Sequence, residues 1–145
     1  MKRPIGLSIV AALMLLTAMG TLLFWVAFFA DLEGQRAGTL ASRNDAWFAW
    51  ELSFPLADLW MAATAIVGAV GLWRMRPRGV LFGLVSGGAM VFLGLMDVLF
   101  FLKNGLYLPM TGEIAVELFI HVWTVVFGLW AIATIWGQRA IGMAL

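Results

Sequence analysis

Eight carboxylates and one histidine carry most of the chemistry open to this chain, and five of these nine groups fall inside otherwise apolar stretches. They are Glu51, Asp58, Asp97, Glu117 and His121. Glu51 and Asp58 stand seven residues apart, which on one continuous helix puts them two turns apart on one face. Glu117 and His121 stand four apart and share a face in the same way. Carboxylates with one imidazole bind cations and exchange protons. An ionised carboxylate in hydrocarbon costs ~2.5–3.5 kcal/mol on insertion scales, so such groups turn inward, find partners or protonate.

The expected arrangement is therefore one cavity between the second, third and fourth helices, open on the outer side, with the first helix as a wall offering Thr17, Gly20 and Thr21. The expected ligand-binding set is Glu51, Asp58, Asp97, Glu117 and His121, with Trp60 and Trp123 supplying indole faces for an organic cation. Oxygen and nitrogen donors without sulfur suit a divalent ion such as Zn²⁺, Mn²⁺ or Ca²⁺, and the metal set would be Asp58, Asp97, Glu117 and His121. Plainer readings stand beside these. Asp58 and Asp97 can serve as interhelical hydrogen-bond glue, Glu117 and His121 can neutralise each other, and Trp60, Trp123 and Trp130 can pack in the core. Pro55 cannot donate to the carbonyl of Glu51, so a kink is expected there, with that carbonyl free as a further ligand.

The elements that must position these groups follow from the hydropathy. The chain is 63% hydrophobic and 12% charged, with a mean hydropathy of +0.99. A soluble domain is about half apolar, so the excess points to an integral membrane protein. Four segments, roughly 5–30, 46–73, 79–102 and 113–136, each exceed the ~20 residues that cross ~30 Å of hydrocarbon. In lipid the backbone must satisfy itself, so the segments are helices. The first begins Met1-Lys2-Arg3, but its apolar run is about twice that of a signal peptide and reads as a retained span. Short links make the fold all-α: one domain over residues 1–145, a four-helix up-down-up-down transmembrane bundle.

Lys2, Arg3, Arg74, Arg76, Arg78 and Arg139 flank one side, against Arg36, Arg43 and Lys103 on the other. The positive-inside rule puts the first group, and with it both termini, in the cytoplasm. All eight acids lie in the outer loops or outer halves of the spans. Trp25, Trp47 and Trp50 suit an outer aromatic belt, and Trp73 and Trp136 an inner one. The loop 31–45 reads as polar, with Asn44 or Asp45 able to cap the second helix.

Composition also excludes. With no cysteine there is no disulfide, thiol catalysis or iron–sulfur cluster, and with one histidine a single chain cannot hold a bis-histidine haem. No glycine-rich phosphate loop or hydrolase elbow is present, so a nucleotide is not expected. A net charge of +1 recruits no nucleic acid.

Three functional readings follow. The leading one is a small membrane protein that binds or transports a cation: a divalent metal, a proton or an organic amine. The second is an accessory or assembly subunit of a larger membrane complex, or a homo-oligomer, associating through Gly83, Gly87 and Gly94. The third is an intramembrane enzyme using acid–base chemistry on a lipid-soluble substrate. The lipid bilayer is a partner in all three, and the compact charge pattern favours a bacterial inner membrane.

Overall fold

The computed structural model describes residues 4–140; Lys2 and Arg3 of the charge pattern lie outside them. The element order is α1 (Ile5–Ala30), α2 (Leu32–Ala37), α3 (Thr39–Arg43), α4 (Trp47–Glu51), α5 (Pro55–Trp73), α6 (Pro77–Lys103) and α7 (Gly112–Gly137). α1, α5, α6 and α7 are long and apolar enough to cross a membrane, and no strand occurs among the described residues. The fold is thus the four-helix membrane bundle that hydropathy requires.

Each span packs against the next: α1 on α5, α5 on α6 and α6 on α7. The contacts run antiparallel, Gly68 of α5 meeting Gly83 of α6 and Gly87 of α6 meeting Gly128 of α7. Missing side chains bring the backbones together: a Cβ on Gly68 would stand 2.8 Å from the Gly83 nitrogen, and one on Gly128 2.8 Å from the Gly87 carbonyl oxygen. Without a hydrophobic force between helices in lipid, such close packing is a main source of cohesion.

These contacts bear on one expectation. Gly83, Gly87 and Gly94 are buried and face Ile135, Ile132 with Gly128, and Thr124 with Val125, all in α7 of the same chain. Within the single chain they serve contacts inside the bundle.

The second expected span is also revised. It is not one helix over 46–73, because α4 ends at Glu51 and α5 starts at Pro55. Proline occupies the first turn of α5, where its missing N–H costs nothing and its fixed φ favours initiation. The Glu51 carbonyl accepts from the Phe54 amide at 3.0 Å, so the expected free carbonyl does not arise. Glu51 and Asp58 therefore belong to separate elements rather than to one helical face. With 19 residues, α5 is about 28 Å long.

The connection 31–45 is ordered too. Asp31 caps α2 by accepting from the Gly34 amide, and Asn44 Oδ1 accepts from the Ala46 amide at 2.8 Å at the entry to α4. Leu40, Trp47 and Leu106 bury themselves against Trp25, Phe28, Phe101 and Ile114. Arg43 donates to the carbonyls of Gly105, Leu106 and Leu108, and Asn44 Nδ2 donates to Asn104 Oδ1 at 2.9 Å. The two loops at the acidic end of the bundle are thereby clasped together over its aromatic core.

The tryptophans sort differently from their positions along the spans. Trp25 and Trp47, expected in a belt, are 4% and 3% exposed. Trp60 and Trp130, expected in the core, are 60% and 41% exposed. Helical phase decides this. Leu7, Ala11, Met14, Ala18, Trp25 and Phe28 form the buried stripe of α1. Met61, Ala62, Ala65, Ala69 and Leu72 form that of α5 and leave Trp60 outside it. Trp73 and Trp136 are exposed near the arginine end, as a belt requires, and the Arg139 guanidinium lies 4.0 Å from the Trp136 ring centroid.

Candidate functional site

The acids meet at one end of the bundle. Asp58 occupies the first turn of α5 and accepts from the Trp25 indole N–H of α1 at 2.9 Å. Asp97 on α6 accepts from the Trp50 indole N–H of α4 at 3.3 Å, and the Trp50 ring stacks on Phe100 at 4.5 Å between centroids. Glu117 on α7 lies 3.7 Å from His121 Nε2, too far for a hydrogen bond. His121 is 2% exposed and packs edge-on against Phe101 at 4.7 Å. Its Nδ1 shares a hydrogen bond of 2.9 Å with the hydroxyl of Tyr107, which reaches in from the loop before α7.

Glu51, at the end of α4, joins the acids electrostatically. Burial pushes its carboxyl above the ordinary 4.5, and the charges of Glu117, Asp97 and Asp58 push it further. Tyr107 is pushed up to about 12 by burial and then by Asp97 and Glu117, so it remains a phenol and can both donate and accept. Among the described residues, no lysine or arginine pairs with any of these carboxylates. Carboxylates that feel one another without a cation share protons instead of all ionising.

Beside the acids lies a cleft of about 380 Å³ between α1 and α7, lined by Leu16, Thr17, Gly20, Phe24, Asp58, Glu117, Phe119 and Trp123, among others. It exists because the first and last spans diverge. Near the arginine end, Gly6 of α1 approaches Thr134 and Gln138. Midway, the Trp123 indole donates to Thr17 Oγ1 at 3.0 Å. Further toward the acidic end, a Cβ on Gly20 would meet nothing within 4 Å. Trp123 stacks between Phe119 and Phe127, with centroids 6.1 and 5.0 Å away, and forms a flat aromatic wall.

The structure places most of the expected residues at this end of the bundle. Asp58, Glu117 and Trp123 line the cleft, and Glu51, Asp97 and His121 stand behind it. The cleft is lined mainly by the first and fourth spans, with Asp58 from the second, so α1 forms one of its two main sides rather than a plain wall. Trp60 is not part of it. It lies in a separate shallow groove of about 570 Å³ between α5 and α6, with Ser53, Leu56, Ala57, Ala89, Phe92 and Leu93. Among the described residues, no three His, Asp or Glu groups are placed to hold one metal ion. Asp58, Asp97, Glu117 and His121 thus form a charged neighbourhood rather than a coordination sphere.

Three participants escaped the sequence reading. Trp25 and Trp50 are the indole donors to Asp58 and Asp97, and Tyr107 is the partner of His121. Tyr107 did leave a signal, being the one tyrosine in a chain with 11 phenylalanines. A lone hydroxyl in a loop otherwise rich in turn residues is worth tracing to a buried polar partner. Comparison with family models, characterised proteins and solved structures returns no match for this chain.

Proposed function

We propose that this membrane protein binds a monovalent organic cation of the ammonium class, with Asp58 and Glu117 as its anionic contacts and Trp123 as an aromatic wall. One observation carries the reading: an accessible cleft of ligand size holds two carboxylates to which no lysine or arginine among the described residues is paired. An ammonium needs only a few oxygen contacts and an indole face, whereas a divalent metal needs a compact shell that these groups do not form. Trp25 already orients Asp58 through a neutral N–H, which holds the carboxylate without neutralising it.

Cation entry is balanced by proton loss. Glu117, the His121 imidazole and the Tyr107 hydroxyl form a line from the cleft to the loop, and a movement of Glu117 by roughly 1 Å closes the 3.7 Å gap to hydrogen-bond length. The arginine end, with Arg74, Arg76, Arg78 and Arg139, then faces the cytoplasm of a bacterial cell, and the cleft belongs to the outer leaflet of the plasma membrane.

The test is a thermal-shift series on the purified full chain, with primary to quaternary alkylamines alongside Zn²⁺, Mn²⁺ and Ca²⁺. Amines are expected to raise the melting temperature in a saturable way, and Glu117→Gln to remove most of that rise. A shift with a divalent ion and none with any amine would overturn the assignment.

A further inference from the structure

The cleft has two possible approaches, and the structure treats them differently. At the acidic end, the connecting segments are drawn together over the aromatic core. Leu40, Trp47 and Leu106 are buried there, and Arg43 ties the first outer connection to the carbonyls of Gly105, Leu106 and Leu108. From the side, the way is open. α1 and α7 are held together near the arginine end and at Thr17–Trp123, and beyond that point they part. The rim of the gap is made of side chains that face lipid, Leu16 at 62% and Phe119 at 65% exposure. Gly20, Phe24 and Trp123 line the cleft together with the two carboxylates, a surface with few polar atoms. A small hydrated cation has no reason to cross such a surface, because stripping its water costs several kcal/mol that an apolar wall does not return. A molecule with an apolar body and a charged head meets both parts of the cleft with matching chemistry.

We propose that the ligand is an amphipathic amine, with its alkyl or ring body along α1 and α7 and its ammonium at Asp58 and Glu117, and that it enters sideways from the lipid through the gap between these helices. This deepens the reading of the site as a cation binder and rests on it. Gly20 is the specificity-determining position: with no side chain it leaves the passage clear, and a larger residue there meets no neighbour that must move.

The experiment uses the full chain in lipid nanodiscs and two fluorescent probes, a dansyl-labelled dodecylammonium and its butylammonium analogue, read by energy transfer from tryptophan. The dodecyl probe is expected to bind saturably, at least tenfold more tightly than the butyl probe when both are counted per lipid-dissolved molecule. Gly20→Leu should weaken the dodecyl probe by at least tenfold with no fall in melting temperature, since leucine favours the helix over glycine. Leu16→Trp, which narrows the rim from the lipid side, should slow association more than it changes affinity. Equal affinity for the two probes, or wild-type binding in both variants, overturns the lateral route while leaving the cation site standing. Failure of both probes to bind the unmodified protein removes the cation site itself and this route with it.

Discussion

Asp58→Asn separates a binding carboxylate from one that merely holds helices together, because the two roles predict opposite signs. The Trp25 indole donates to Asp58 Oδ2 at 2.9 Å, and an asparagine carbonyl oxygen at that position accepts the same bond. What the substitution removes is charge. In the empty protein that charge is a burden, since Asp58 is half-buried, has no basic partner among the described residues and lies near Glu51 and Asp97. Relieving it is expected to leave the melting temperature unchanged or raise it. In the loaded protein the same charge is an asset. An ammonium about 4 Å from a carboxylate gains ~4 kcal/mol of gross Coulomb energy at an effective dielectric of 20. After desolvation, the net value falls to that of a charged hydrogen bond, about 1.5–3 kcal/mol. That corresponds to roughly a 10- to 150-fold loss of amine affinity. Calorimetric binding of an alkylammonium and a melting curve of the empty protein, both in one detergent, read the two effects. Stability falling by more than about 1 kcal/mol with amine affinity unchanged would refute the reasoning and return Asp58 to the role of glue.

Three further outcomes test the surrounding structure. Glu51 holds its proton more tightly in the folded protein than its ordinary 4.5, so the native state binds the extra proton and stability declines as pH rises past 4.5 toward the folded value. Glu51→Gln should flatten that decline in a series of melts across pH, and an identical slope in the variant would contradict the assignment. Gly128→Leu places a side chain 2.8 Å from the Gly87 carbonyl and 2.9 Å from Val91, and should cost about 1–3 kcal/mol or prevent assembly of α6 with α7. Its melting temperature should therefore fall well below that of Gly20→Leu. Arg43→Ala frees three loop carbonyls at a cost of about 1–2 kcal/mol. Amide exchange at residues 104–108 should quicken, and exchange unchanged from wild type would mean that the clasp does not hold the loops.

Depth along a span was legible in the residues, and rotation about it only in part. Hydropathy places Asp58, Asp97 and Glu117 near one end of their helices, and they do meet there. Depth alone made Trp25 a belt residue, yet it lies on the stripe of Leu7, Ala11, Met14 and Ala18 at spacings of three and four. Trp60 shows the converse. Ala62, Ala65, Gly68 and Ala69 mark the packed side of α5, and Trp60 points away from it. Pro55 was ambiguous because a proline starts a helix as readily as it kinks one, and only the Phe54–Glu51 turn decides between the two. The cleft was not legible at all. It depends on α1 and α7 diverging, and no local pattern in either helix encodes how far two helices distant in sequence stand apart.

The cations at the acidic end bear on the same question as Asp58. Arg36 lies 4.8 Å from the centroid of the Phe48 ring, and Arg43 is bound to loop carbonyls. Two of the three cations at that end are thus engaged elsewhere, while Asp58 and Asp97 are held by indole N–H donors. An indole partner is neutral. It fixes the direction of a carboxylate oxygen in either protonation state and leaves the charge available. An arginine at the same distance would satisfy the acid permanently, and a cation arriving from outside would have to displace it. A purely structural cluster in lipid gains from internal neutralisation, because an unpaired carboxylate there is costly. Indoles in place of guanidinium groups at Asp58 and Asp97 are what the proposed exchange of cations requires.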